Sequence, residues 1–380
     1  MITPRALLKR RTFLAMSTLP ALPLAGCGGG DILSAALPGT TGTGILALAS
    51  ITGFGSVIVG GQTYDETSST IAIDGIAATR ADLRLGMTAK VNGTWYPDTS
   101  TGVAQTIAVY RTASGTVTAV NNNSLVLHGQ TFGWDSSTLW DGVTETSLQI
   151  GQPVIVWALQ ANNQATQWLL TRIAAGDGGL PTITGLLERR NNLWWVGDIQ
   201  LLQMDAFKLS AGQLVWVRGQ PVTDGTGAWV VSAARVASLS LEEQANASLL
   251  QMEGMVTTGQ GNGMVRVGDQ TLDASTLPAA PTQGQRVQVT VQRLPDGRLR
   301  INDISGSAAS SSSQPAIKLS GRIENWHSAA DFTIQGQRCN ATNATGDVQA
   351  LMANAWVSVT GTRNGAVVNV QTVAAASGQR

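Results

Sequence analysis

A glycine that opens a strand returns along this 380-residue chain at Gly53, Gly115, Gly185, Gly254 and Gly321, in steps of 62, 70, 69 and 67 residues. A period of that size marks one supersecondary unit used repeatedly, and it constrains the fold more than composition does. After each of these glycines a second short run closes on Gly followed by Gln or Asp: Gly61-Gln62, Gly129-Gln130, Gly197-Asp198, Gly268-Asp269 and Gly336-Gln337. Further on, Gly86, Gly151, Gly212 and Gly284 each precede an alternating apolar strand. The fifth copy lacks that glycine but keeps Val357-Ser358-Val359-Thr360-Gly361. A last alternating strand ends each unit. Asp224-Gly225, Asp296-Gly297 and Asn364-Gly365 stand just before it and supply the positive φ that tight hairpins need.

Two hairpin-linked strands, a third, a connector with room for one helical turn, and a final hairpin make five strands in roughly 55–65 residues. The expected fold is therefore all-β: about five tandem copies of a small five-stranded Greek-key barrel of the OB-like kind, after an N-terminal lipoprotein signal. The copies are expected at 45–112, 113–175, 182–239, 252–305 and 318–376. Residues 240–251 read as a short helical linker, because Ser240 and Glu243 have capping-box spacing before Leu249 and Leu250. Residues 306–317 read as a Ser-rich linker.

The N-terminus reads as an export signal over 1–26. Arg5, Lys9, Arg10 and Arg11 form a basic start, and residues 12–24 are nearly all apolar or small. That run is too short to span a hydrocarbon layer of ~30 Å as a lasting helix. Leu24-Ala25-Gly26-Cys27 resembles the lipobox of bacterial lipoproteins, in which the cysteine is acylated and becomes the new N-terminus. Cys27 is thus expected to be a lipid tether, with residues 27–44 as a lipid-proximal linker. Two acyl chains at ~0.8 kcal/mol per buried methylene would hold a domain firmly on a membrane. Arg10-Arg11 also looks like a twin-arginine export motif, against the alternative of an ordinary basic start. Gly28 after the cysteine favours the outer membrane, facing the periplasm or the cell surface.

Removing Arg5, Lys9, Arg10 and Arg11 from 24 basic residues leaves 20 against 24 acidic, a net charge of −4. A mildly acidic chain offers no electrostatic footprint for phosphate backbones, so nucleic acid is not an expected partner. The expected partners are the lipid membrane, through Cys27, and a cell-wall polysaccharide or envelope protein. Cys339 has no expected disulfide partner and reads as a small buried residue.

"ITGFGSVIVGGQTYD" at 51–65, "DLRLGM" at 82–87 and "VNG" at 91–93 resemble a family of tandem-repeat bacterial lipoproteins, domain-of-unknown-function family 5666. The resemblance is specific in the first copy and looser in the others. It implies a β-rich envelope protein, and it brings no catalytic residue with it.

No cofactor, metal site or nucleophile motif is expected. His128 and His327 are the only histidines and fall in different copies. His128 reads as a strand-end surface residue, and His327 as a turn residue beside Trp326. Asn340-Ala341-Thr342 and Asn343-Ala344-Thr345 read as turns. The chain holds 11 tryptophans. Trp194 and Trp195 are adjacent in one strand, so their rings leave on opposite faces. Trp216 takes the face that Val215 and Val217 do not, and Trp157 likewise opposes Val154 and Val156. Such outward rings either bury themselves between neighbouring barrels or form stacking platforms for a glycan or peptide, with Arg189, Arg190 and Arg218 nearby. The expected role is a non-catalytic binding or scaffolding protein, which makes Trp194, Trp195 and Trp216 the candidate ligand-stacking residues. The alternatives are a glycan-acting enzyme using paired carboxylates such as Asp135 and Asp141, or a subunit of a larger surface assembly.

Overall fold

The computed structural model describes residues 43–204, 208–238, 249–260, 262–305, 317–364 and 367–375. The expected signal and tether residues Arg10, Arg11, Leu24, Ala25, Gly26 and Cys27 lie outside the described residues, as do 306–316 and most of the expected helical linker. Among the described residues every helix is a single 3₁₀ turn, and everything longer is β-strand. The fold is all-β, built of several small closed sheets. Period-two patterning explains the strands. In Arg286–Arg293 the residues Val287, Val289 and Val291 point inward while their neighbours stay half-exposed.

In residues 43–109 the first strand, Thr43–Phe54, pairs antiparallel with Val57–Val59, which pairs antiparallel with Gln62–Asp65. Gln62–Asp65 runs parallel to the last strand, Thr101–Val109. That strand pairs antiparallel with Thr88–Tyr96, which returns antiparallel to the first strand. The circuit closes on itself.

Residues 113–175 draw the same circuit, with the first strand broken into Ala113–Thr116 and Ala119–Asn121. So do residues 182–238, 249–305 and 317–375. Single 3₁₀ turns at Arg80–Asp82, Glu145–Ser147 and Val348–Ala350 occupy connectors, where one helical turn was expected.

The repeated glycines have distinct backbone duties. Gly61, Gly129, Gly197, Gly268 and Gly336 sit at positive φ in the two-residue turn between second and third strands. Gly86, Gly151, Gly212 and Gly284, also at positive φ, each donate their N–H to a first-strand carbonyl, those of Ile51, Val117, Leu187 and Val256. In residues 317–375 that duty passes to Asn354, at φ 64°, whose N–H bonds the carbonyl of Ile323. Asparagine is among the few L-residues that tolerate this region. The first-strand glycines make room instead. A Cβ at Gly53, Gly115, Gly185 or Gly254 would lie 2.6–2.8 Å from the side chains of Ile58, His128, Val196 and Val267 respectively.

The barrels are joined by strand pairing across long sequence separations. Ile45–Leu48 runs parallel to Leu249–Met252, and Gly53-Phe54 runs parallel to Lys318-Leu319. Alternate residues of these strands serve different cores. Ile45, Ala47 and Ala49 pack inside their own barrel, whereas Leu46 is buried with Leu250, Val265 and Leu272 in the core of residues 249–305. A second sheet links Ala113-Ser114 to Thr182-Ile183. The expectation of a helix over 240–251 is corrected at its end: Leu249–Gln251 belong to strand Leu249–Gln260. Two ladders, one on each side, outweigh a local capping signal there.

Polar ties close these and other junctions between barrels. Glu253, with a side chain 2% exposed, accepts from Ser50 N at 2.8 Å and Ser50 Oγ at 2.5 Å and pairs with Arg286. Arg286 in turn donates to Ser137 Oγ. Tyr64 donates its hydroxyl to Gln251 Oε1, and Thr171 donates to the carbonyl of Gly86.

Candidate functional site

The face formed by Thr182–Arg190 and Leu193–Val196 carries the two adjacent tryptophans. Antiparallel register sets Arg189 opposite Trp194 and Glu188 opposite Trp195. Trp194 therefore shares a face with the core pair Leu187 and Val196 and closes the end of that barrel. Trp195 leaves on the other side. Both rings are half-buried. The Arg189 guanidinium lies 5.3 Å from the Trp194 ring and that of Arg190 5.5 Å from Trp195, each a cation–π contact. Arg190 also pairs with Glu188. The two-stranded hairpin thus carries one ring–guanidinium pair on each of its faces.

Trp216 does not join it. Its ring is 2% exposed and lies 5.3 Å from that of Tyr110, so it packs between barrels and offers no face to a ligand. Trp157 behaves alike: it is buried with Leu139 and Ile155 against the 43–109 core, with Arg172 over its ring. For these two rings the packing alternative holds. Trp356, which sequence reasoning did not single out, is 47% exposed. Its neighbours Val357 and Val359 are core residues, so strict alternation from Val357 was the signal that could have found it.

The carboxylates Asp135 and Asp141 have structural partners. Asp135 Oδ1 accepts from Ser137 N and Oγ in a side-chain-capped turn. Asp65, Asp273 and Asn340 hold the matching turns after other third strands, with Thr67, Ser275 and Thr342 as donors. A neutral amide at Asn340 does the same work, so the turn needs an acceptor and not an acid. Those hydroxyl and N–H donors hold Asp65 and Asp273 below the usual carboxylate range. Asp141 is ion-paired with Arg172, which also donates to the carbonyl of Leu85.

His128 is corrected from surface residue to junction residue. Its ring sits edge-on to Trp229 at 4.9 Å and its Nε2 bonds the carbonyl of Ser114. Burial pulls its pKa below the ordinary 6.5. His327 lies on strand Ile317–Ser328 and is exposed. Cys339 is fully buried. Asp74 pairs with Arg111 at 2.7 Å, and Arg111 reaches Asp177 at 2.8 Å. Burial nevertheless pushes Asp74 upward. Among the described residues no group of three His, Cys, Asp or Glu side chains is placed to hold a metal ion.

Openings lie between barrels, and two of them are larger than the rest of those described. One, of about 110 Å³, is lined largely by apolar groups including Leu48, Trp168, Leu214 and Met252. The other, of about 380 Å³, lies between residues 182–238 and 249–305 and is lined largely by polar groups.

The family described as a domain of unknown function, DUF5666, matches residues 47–108 and 114–167. The first match covers nearly all of the 43–109 barrel, and the second stops where the last strand of its barrel, Gln167–Ala175, begins. Residues 47–108 and 114–167 thus match two tandem copies of this domain. No curated protein matches the chain.

Proposed function

We propose that this chain is a non-catalytic cell-envelope lipoprotein: five OB-like Greek-key barrels in tandem, held to the outer membrane by acylated Cys27 and acting as a binding or scaffolding protein at its surface. Support for the fold reading is the strand order. Each circuit runs first, second, third, fifth, fourth and back to first, with third and fifth parallel, as in an OB barrel. Support for the tether is the run Leu24-Ala25-Gly26-Cys27 behind a basic, then apolar, start.

The observation that carries the binding reading is the Trp194–Trp195 hairpin, with Arg190 against Trp195 on its outer face and Arg189 against Trp194 at the barrel end. The outward rings Trp157 and Trp216 are spent on packing between barrels, while Trp194 and Trp195 stay half-exposed under guanidinium groups. Flat apolar rings beside arginine suit a polysaccharide with acidic groups or an envelope protein segment. The turn duty of Asp135 and the ion pair of Asp141 favour binding over the paired-carboxylate enzyme.

The test uses the full chain, extracted from membranes in mild detergent and applied to purified cell-wall polysaccharide, beside a W194A/W195A variant. Retention of the parent with at least a roughly tenfold weaker variant is expected, about 1.4 kcal/mol. Equal retention of both, or of neither, rules these rings out as the binding groups. Mass spectrometry of the same material reads the tether: a diacylglyceryl-modified peptide beginning at Cys27 is expected, and an unmodified Cys27 removes the lipoprotein reading.

A further inference from the structure

The 380 Å³ cleft between residues 182–238 and 249–305 is lined largely by polar and charged groups. Arg266, Arg293 and Arg298 converge on it, with Asp269 as the one carboxylate in its lining and Gln213 and Gln270 among its neutral polar groups. The placement follows from the strands. Arg266 alternates with the core residues Val265 and Val267, so it must leave on the outer face of its hairpin. Arg293 comes two residues after the last core valine of its strand, Val291, where the barrel opens. Arg298 sits in the turn between fourth and fifth strands.

The ion pairing is uneven. Arg298 is matched by Asp296 at 2.7 Å, and Arg300, close by in sequence, faces Asp273 at 3.7 Å. Arg266 and Arg293 form no ion pair with any described residue, and the buried Nε of each donates no hydrogen bond among them. Among the described residues these two half-buried guanidinium groups make no ion pair to offset their desolvation. With Asp269 as its one acidic lining group, the three arginines leave the cleft an excess of positive charge in a chain that carries 24 basic and 24 acidic residues overall.

We propose that this cleft binds a sugar-sized anion, a saccharide unit bearing phosphate or carboxylate, with Arg266 and Arg293 as the charge-matching groups. Guanidinium forks fit both oxyanions. The volume lies near the lower end of the range for small-molecule sites, about 300–1,000 Å³, which suits one or two rings. The glutamine amides suit hydroxyls rather than acyl chains. The 110 Å³ opening is too small for such a guest. This site is separate from the Trp194–Trp195 hairpin and does not rest on it.

The test is titration of the detergent-extracted full chain by calorimetry with glucose 6-phosphate, glucuronate, inorganic phosphate and neutral glucose. Glucose 6-phosphate, glucuronate or both are expected to bind, more weakly as salt rises, and glucose is not. The two arms separate a phosphosugar from a uronic acid. Arg266→Gln and Arg293→Gln are each expected to weaken binding about tenfold or more, whereas Arg322→Gln, on the 317–375 barrel, and the W194A/W195A variant leave it unchanged. Urea midpoints of the two cleft variants are expected to stay near the parent's, which separates lost recognition from lost folding. The proposal is overturned if neither charged sugar binds at millimolar concentration, if glucose binds equally, or if both cleft variants bind as the parent does. Inorganic phosphate binding as tightly as glucose 6-phosphate would remove the saccharide from it.

Discussion

Replacing Glu253 by alanine tests how far the junction between the 43–109 and 249–305 barrels contributes to stability. The carboxylate is 2% exposed, accepts two hydrogen bonds from Ser50 and pairs with Arg286, which is itself only 17% exposed. Removing it leaves the Ser50 N–H and hydroxyl without their acceptor and leaves Arg286 with Ser137 alone. Breaking one partner out of a buried pair costs about 3–5 kcal/mol. At a slope of roughly 2–3 kcal/mol per molar urea, the first unfolding midpoint should fall by about 1–2.5 M, read by tryptophan fluorescence. Glu253→Gln keeps an acceptor for Ser50 but loses the charge facing Arg286, so it should fall between alanine and the parent. An alanine variant within about 1 kcal/mol of the parent, the worth of an exposed pair, would refute the reasoning.

Three further outcomes are expected. Gly53→Ala places a Cβ 2.3 Å from the Lys318 carbonyl oxygen, so it should break the Gly53-Phe54 to Lys318-Leu319 pairing; Gly75→Ala, in open space at φ 75°, should cost only about 1–2 kcal/mol, both read by urea unfolding. Asp65 is held below its ordinary value of 3.8 by donors from Thr67, so its stabilisation is present above that value and is lost as pH falls through the lower folded one. Asp65→Asn should keep the turn at neutral pH, as Asn340 does, and flatten the acid limb of melting temperature against pH. Asn354→Val should cost about 1–2 kcal/mol in thermal unfolding while Asn354→Gly costs nothing, because only the first must be forced to positive φ.

Local backbone chemistry made much of the fold legible in sequence. The glycines at 61, 129, 197, 268 and 336 could be read as turn residues because few L-residues reach positive φ, and the structure places each in a two-residue hairpin turn. The strand circuit was legible from hairpin signals and one longer connector per unit. Asn354 escaped because the pattern sought was a glycine, although asparagine meets the same steric demand. Which barrels touch could not be read from local patterns, since Ile45–Leu48 and Leu249–Met252 lie about 200 residues apart. A trace was present: Ile45-Leu46-Ala47-Leu48-Ala49 is apolar at every position, the mark of a strand buried on both faces. For the candidate site, adjacency of Trp194 and Trp195 was enough to send one ring outward. Nothing local distinguished them from Trp216, whose cover comes from Tyr110 on another segment.

Leu46 offers the most direct measurement of the central claim, that sequence-distant barrels share their cores. It belongs to the first strand of residues 43–109 but is fully buried with Leu250, Val265 and Leu272. Leu46→Ala should cost about 2–5 kcal/mol, and hydrogen exchange by mass spectrometry should show the lost protection in Met264–Val267 and Gln270–Asp273. Protection lost only within residues 43–109, with the distant hairpin unchanged, would contradict the account.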